Sequence, residues 1–453
     1  MVDLAPLRDR LRADQVVTKR AVLIEHSRGE SFAEAVLPEV VVYAESREDV
    51  QAVVAIACEQ RIAVTPVGAN SSLEGQTVPV QGGISLDVTR MDRIVEVCPE
   101  DLLAVVQPGV PYPSLNDRVR HSGLFFPVDP GAHATLGGMV ATNASGTTAV
   151  RYGVTADHVL ALEFVTPEGD VVRTGSRARK SSSGYNLTRL LAGSEGTLGV
   201  ITEITLRLTG LPEAVMAARV PFGSALAATG YVTSVMQAGL PVARCELVDA
   251  GTIAAVNRHL DTGYPEEMTV FMEFHGNEEG IRVDAELSRE LADAAGALAF
   301  ESSGDPPERE RLWQARHQAF YAYLALNPGR RSVVTDVAVP ISWLAANVTG
   351  ALADCEREGL QAYLVGHVGD GNFHLAIFFD GADRRSQEQV EEVSGRVIAR
   401  ALGSGGTITG EHGVGLRKLK HMAQEHGAAL EVMRRIKQCL DPLGIMNPGK
   451  KIP

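Results

Sequence analysis

The sequence is short of positive charge. Its 42 Lys and Arg are outnumbered by 56 Asp and Glu, for a formal net charge of −14. A basic footprint for DNA or RNA is missing, so nucleic acid is not an expected partner, and an anionic ligand has to be drawn in by a local cationic pocket. Cysteine is sparse: Cys58, Cys98, Cys245, Cys355 and Cys439 make an odd count with no CxxC, the usage of a reducing compartment with inert thiols. No apolar run approaches the ~18–20 residues that span a bilayer, so no transmembrane segment is expected. The opening MVDLAPLRDRLRADQVVTKR has no signal-peptide core, and Asp3, Asp9 and Asp14 set it apart from an acidic-poor transit peptide. The expected location is the cytoplasm, and peripheral docking to a membrane is compatible with the same features. A Rossmann GxGxxG is also lacking. GIMNPGKK (444–451) has P-loop spacing, but Lys451 stands where Ser or Thr would bind Mg²⁺.

Glycine, in contrast, is abundant. Its 45 residues are clustered rather than dispersed, against a typical share of ~7%. Clustered glycine marks backbone that turns tightly or approaches something closely. The chain is 45% hydrophobic and 22% charged, an ordinary globular composition. Its 453 residues exceed the ~250–300 at which a single core stops growing, so two or more domains are expected.

Residues 1–35 read as helix and connector. A β-α-β pattern follows: VVVYAES, a helix over Arg47–Gln60, then IAVTPVG. Strand-like runs continue to GVITEITLRL, and the texture changes near Leu211–Glu213. Beyond it helix patterns alternate with strands such as ARCELVD, MTVFMEFHG, VVTDVAVP and AYLVGHVG. The expected fold class is α+β: domain 1–210, a second domain 211–405 with an antiparallel sheet flanked by helices, and a segment 406–453 returning to the first.

Several constellations carry chemistry. Pro66–Gly75, PVGANSSLEG, is a small-residue loop after a strand, able to turn successive N–H groups toward an anion. Pro127–Gly153 is so rich in Gly, Ala, Ser and Thr that it suits backbone lying against an extended polar ligand, and GSEGTLG (193–199) has the same character. In VGHVGDGNFHL (365–375), Asp370–Gly371 signals a two-residue hairpin turn. That turn puts His367 directly opposite His374 on one face, where the two form either a surface pair or two ligands of one divalent metal. In TGEHGVG (409–415), Glu411 and His412 form either a solvent-facing loop pair or the completion of a two-His, one-carboxylate set suited to zinc, manganese or iron, in which Glu411 would be the third ligand and His412 a base beside it. In LWQARH (312–317), Trp313 and Arg316 lie on one side of a helix, and the guanidinium can bind a carboxylate or make a surface ion pair.

These motifs, in this order, resemble the FAD-binding PCMH/VAO-type flavoproteins, within them the D-lactate dehydrogenase (acceptor) and glycolate oxidase FAD-subunit group. The likeness runs from about residue 35 to NPGK at 447–450. It implies a two-subdomain FAD-binding domain with a substrate-binding cap. Gly68, Ala69, Asn70 and Ser71 would hold the pyrophosphate. Pro130, Gly131, Gly137, Gly138, Asn143, Ser145, Gly146 and Gly153 would line the flavin. Glu195, Gly196 and Ile201 would sit at its adenine and ribose end or its ring edge, and Asn447 would reach it. Residues 66–75 hold no His or Cys, so the FAD is expected to be non-covalent. His367, His374 and Glu411 would bind the metal, Arg316 the substrate carboxylate, and His412 would take the hydroxyl proton.

The resemblance therefore implies FAD- and metal-dependent oxidation of a D-2-hydroxy acid to the 2-oxo acid. Electrons would pass to a quinone, a cytochrome or an electron-transfer flavoprotein, and a homodimer fits the group. The 2-hydroxyglutarate branch carries a lysine two residues before the aspartate of VVTDVAVP, where this chain has Val334. That favours D-lactate over D-2-hydroxyglutarate, with glycolate and longer D-2-hydroxy acids as the same chemistry on other substrates. A non-enzymatic metal- or anion-binding protein is the alternative of another class.

Overall fold

The computed structural model describes residues 2–30 and 34–453; positions 1 and 31–33 of the N-terminal helix-and-connector stretch lie outside it. The chain forms two units. One holds Met1–Ser145, Gly153–Leu211 and Glu411–Pro453, and the other Gly146–Tyr152 and Pro212–Gly410.

The first unit is built on two main sheets. Strands Val16–Val17, Val40–Tyr43, Ile84–Asp87 and Val64–Val67 lie side by side in that order, the last three parallel. Parallel pairing needs a crossover, and the helix Arg47–Gln60 provides one. Its start is a capping box: Ser46 Oγ accepts from Asp49 N at 3.1 Å, and Asp49 Oδ2 accepts from Ser46 N at 3.2 Å. Val50, Val53, Val54 and Ala57 fall at helical spacing and are buried with Val40, Val42, Ile84 and Leu86. Arg61 ends the helix in the left-handed region, φ 54°. The second sheet is antiparallel, in the order Ile94–Cys98, Leu103–Val106, Val200–Arg207, Val159–Val165, Val171–Gly175.

The C-terminal segment belongs to the first unit for a local reason. Buried Asp441 accepts from Ile445 N at 3.1 Å, Met446 N at 2.9 Å and Lys437 Nζ at 2.5 Å. The turn so fixed places Ile445 and Met446 in the core of the parallel sheet, where Met446 bridges Val64.

The second unit is an antiparallel sheet. Its order is Glu301–Ser303, Ala214–Phe222, Met268–Gly276, Val242–Val248, Gln361–His367, Asn372–Phe379, Arg331–Val334, with Val337–Ala338 also pairing Asn372–Phe379. Helix Glu278–Ala294 buries Ile281, Ala285, Ser288 and Ala292, one face at helical period. Segment 146–152 joins this unit through contacts that include those of Arg151 and Tyr152. The Arg151 guanidinium donates to the Pro241 carbonyl, and Tyr152 OH meets His275 Nδ1 at 2.7 Å.

One expectation fails in its register. His374 lies opposite Val365, not opposite His367. The turn is a short 3-10 stretch, Val368–Asp370, closed by Gly371 at φ 82°, in place of a two-residue loop. A Cβ on Gly371 would meet the Val339 carbonyl oxygen at 2.0 Å, so close approach as well as positive φ requires glycine where this turn closes. The slip is two residues, and strand side chains repeat every two, so both histidines keep the same face.

Candidate active site

In the second unit, His367 ends one hairpin strand and His374 sits in the other. Their rings are edge to face with centroids 5.5 Å apart, and one ring nitrogen of each, able to serve as a metal ligand, lies within 4.8 Å of the other. His374 Nδ1 is 3.0 Å from the Thr335 carbonyl oxygen, and His367 Nδ1 is 2.6 Å from Glu246 Oε1. With both Nδ1 atoms so engaged, a metal held by either ring would be bound through Nε2.

Glu246 is fully buried in the strand Val242–Val248, directly across from His367. Its other oxygen, Oε2, accepts from Arg316 Nε at 2.9 Å and Nη2 at 2.7 Å. Arg316 belongs to the helix Pro306–His317. One turn earlier Trp313 is buried, with the Arg244 guanidinium 4.9 Å from its ring centroid. Burial pushes the Glu246 carboxyl up, but the His367 and Arg316 partners outweigh it and hold the group below the usual carboxylate range.

Asp336 anchors the end of this unit. Its Oδ1 accepts from Asn372 Nδ2 at 2.9 Å and Gly410 N at 3.0 Å, and its Oδ2 from Thr409 Oγ1 at 2.6 Å. Gly410 leaves no room for a side chain: a Cβ would stand 2.1 Å from Asn372 Nδ2. The next residue, Glu411, begins the last stretch of the first unit.

In the first unit, Glu411 Oε2 accepts from Ser145 Oγ at 3.0 Å. His412 Nδ1 lies 3.5 Å from Glu74 Oε1, and its carbonyl accepts from Gln76 Nε2 at 2.7 Å. Glu74 is buried. Burial raises its carboxyl, and Lys418, 3.3 Å away, with His412 and Arg417 more than reverses this, leaving it below the usual range. Glu195 accepts from Val414 N at 2.8 Å and Gly415 N at 2.9 Å, with Lys451 Nζ at 3.4 Å. Asn447 Nδ2 reaches the carbonyls of Gln76 at 3.0 Å and Glu195 at 2.7 Å. The carboxylate of Glu195 and the amide of Asn447 thus fasten loops to one another.

The remaining residues that the resemblance assigns to FAD lie as follows. Gly68, Asn70 and Ser71 are half-buried and Ala69 is exposed in the loop after Val64–Val67. Asn70 takes φ 57°, and its amide donates to the Glu25 and Arg28 carbonyls. Gly137 and Gly138 sit in the helix Leu136–Thr142, which Asn143 ends at φ 53°. Gly131 is exposed, Pro130 half-buried, and Gly153 turns the chain at φ 85°. Gly196 lies over Pro66, and Ile201 is half-buried in Val200–Arg207. Gly146 falls in the second unit. A Cβ on Gly68 would stand 2.5 Å from Thr135 Oγ1. Buried Thr135 Oγ1 and Ser72 Oγ have no hydrogen-bond partner among the described residues. A cradle of small residues with orphaned polar atoms fits a phosphate-bearing cofactor.

Sequence reasoning passed over Glu246 and gave no role to Glu74 or to Asp336, which served only as a reference point for Val334. The signal for Glu246 was a carboxylate inside ARCELVD, where Cys245, Glu246 and Leu247 are all buried. Glu74 lay within a motif valued for its backbone. Among the described residues no helix is long and apolar enough to cross a membrane.

Residues 38–175 match the model of an FAD binding domain, and residues 211–451 that of the FAD linked oxidases, C-terminal domain. The chain is 41% identical over 425 residues to D-lactate dehydrogenase (cytochrome), mitochondrial, of Arabidopsis thaliana, covering 93% of this chain and 75% of that one. It is 32% identical over 420 residues to glycolate oxidase subunit GlcD of Bacillus subtilis, covering 91% and 89%. Among solved structures, p-cresol methylhydroxylase with substrate bound superposes with a TM-score of 0.82 at 19% identity, over 99% of this chain and 96% of that one, a likeness of fold. The domain matches and the extent of these similarities place the chain in the family of FAD-linked oxidases.

Proposed function

We propose that this protein oxidises a D-2-hydroxy acid, best fitted by D-lactate, to the 2-oxo acid, with non-covalent FAD and a divalent metal, zinc or manganese before iron. The observation that carries the reading is the cluster in the second unit: two histidines with Nδ1 engaged beside an arginine held by a buried carboxylate. Bound FAD supplies a hydride acceptor, and a bound metal lowers the pKa of the substrate hydroxyl.

The chain's own residues do the rest. His367 and His374 offer Nε2, and Glu411, handed over at Gly410, offers a carboxylate to complete a set with open positions. Arg316 takes the substrate carboxylate in a two-pronged contact and so fixes the orientation of C2, which selects between the two enantiomers. His412 accepts the hydroxyl proton at Nε2, while its Nδ1, beside Glu74, keeps the ring oriented. The Gly68–Ser71 loop, the Pro130–Gly153 stretch and the Glu195–Ile201 segment cradle the cofactor. Val334 brings no cation to a second substrate carboxylate. The name of the Arabidopsis relative supports D-lactate and a cytochrome as electron acceptor, and that of the Bacillus relative supports glycolate as the second reading.

The test is anaerobic bleaching of the flavin by D-lactate, L-lactate, glycolate and D-2-hydroxyglutarate, before and after a chelator. Bleaching by D-lactate, abolished by chelator and restored by metal, is expected. Bleaching by glycolate alone moves the substrate, and bleaching that survives complete metal removal overturns the metal role.

A further inference from the structure

Glu246 makes both of its contacts to residues with assigned roles. One oxygen faces His367 Nδ1 at 2.6 Å, and the other holds Arg316 through Nε and Nη2 at 2.9 and 2.7 Å. The three residues come from two neighbouring strands and a helix. A fully buried carboxylate keeps its place only while its partners are satisfied, so each contact constrains the other.

Resting on the function proposed above, we infer that Glu246 is a positioning residue serving the metal and the substrate together. By accepting the Nδ1 proton of His367 it fixes the tautomer whose Nε2 carries the lone pair a metal needs. By gripping Nε and Nη2 it sets the guanidinium plane of Arg316 and leaves the Nη1 side of the fork to the substrate carboxylate. A rigid fork held on one edge orients a ligand on the other, which a freely rotating arginine does not.

Glutamine at this position cannot serve both partners. An amide has one acceptor oxygen, and its NH₂ must face either the Arg316 donors or the His367 Nδ1 proton. Turned toward His367, the NH₂ selects the wrong tautomer; turned toward Arg316, it releases the guanidinium.

The experiment uses metal-stripped, FAD-loaded protein titrated with Zn²⁺ by calorimetry without substrate, followed by steady-state kinetics at saturating Zn²⁺. Glu246→Gln is expected to weaken Zn²⁺ binding by roughly ten- to a hundred-fold, and to raise KM for D-lactate by a larger factor than it lowers kcat. Arg316→Met is the second variant and keeps the test open should Glu246→Gln not fold. It removes no metal ligand, yet is expected to weaken Zn²⁺ binding several-fold, because the carboxylate that orients His367 loses its other anchor. If wild type binds Zn²⁺ and these variants match it, Glu246 has no positioning role. If wild type binds no Zn²⁺, the assignment of the histidines fails first and the inference falls with it.

Discussion

Replacing Glu195 with glutamine separates two roles for one buried carboxylate. The family resemblance implies that Glu195 sits at the adenine and ribose end or the ring edge of FAD, whereas in the structure both oxygens are taken by the amides of Val414 and Gly415, at 2.8 and 2.9 Å. These residues follow His412, and a Cβ on Gly413 between them would stand 2.7 Å from Glu195 Oε1. The carboxylate is thus a clamp on the loop that carries the proposed base. Glutamine keeps one acceptor and turns an NH₂ toward the other amide. One charge-assisted hydrogen bond, worth about 1.5–3 kcal/mol, is lost and the second becomes an ordinary one. The Lys451 pair is partly solvated and adds little. The expected loss of stability is about 3 kcal/mol, read by urea unfolding of FAD-loaded protein. FAD should survive gel filtration. Flavin reduction by D-lactate in anaerobic rapid mixing should slow by roughly a hundred-fold, the usual effect of a small displacement of a catalytic group. A variant that sheds FAD at wild-type stability would refute the clamp and return the carboxylate to the cofactor. Wild-type stability together with wild-type reduction would refute both roles.

Three further outcomes are expected. His412→Ala should keep its FAD and reduce it more slowly by about 10²–10⁴, the usual contribution of a general base; wild-type reduction in single turnover would remove His412 from that role. Lys450 is buried, and burial pushes its ammonium down to about 8 from the ordinary 10.5, with Glu195 pulling the other way. Between those pH values the unfolded chain holds a proton that the native state has released, so stability rises with pH through the window. Relative to Lys450→Met, the wild type should gain about 3 kcal/mol between pH 7 and pH 11, measured by urea unfolding; a flat difference would place the ammonium in water. Gly371→Ala forces a side chain into φ 82° against the Val339 carbonyl, and should destabilise by about 3 kcal/mol or more. An unchanged melting temperature would mean that the hairpin turn relaxes freely.

Much of the architecture can be read from the chain. The capping residue Ser46 and the spacing Val50, Val53, Val54, Ala57 specify a helix before any tertiary contact exists. One unit gives way to the other between Leu211 and Pro212. Both histidines could be placed on one face, because face depends on the parity of strand positions, which the two-residue slip preserves. Their cross-strand partners could not, because register depends on the turn, and Asp370–Gly371 closes a 3-10 stretch here instead of forming a two-residue loop.

The sequence by itself determines local chemistry: runs of small residues that leave backbone accessible, alternation that builds strands, and side chains able to bind a metal, a proton or a carboxylate. Tertiary structure decides how each polar side chain is partnered. Glu246 meets Arg316 across seventy residues and His367 across a hundred and twenty-one. Glu74 meets His412, and Glu195 turns to Val414 and Gly415. A carboxylate in a strand or loop looks the same in sequence whether it faces water, a cofactor or another loop. Burial removes water as its partner, and the fold then fixes which donor takes that place.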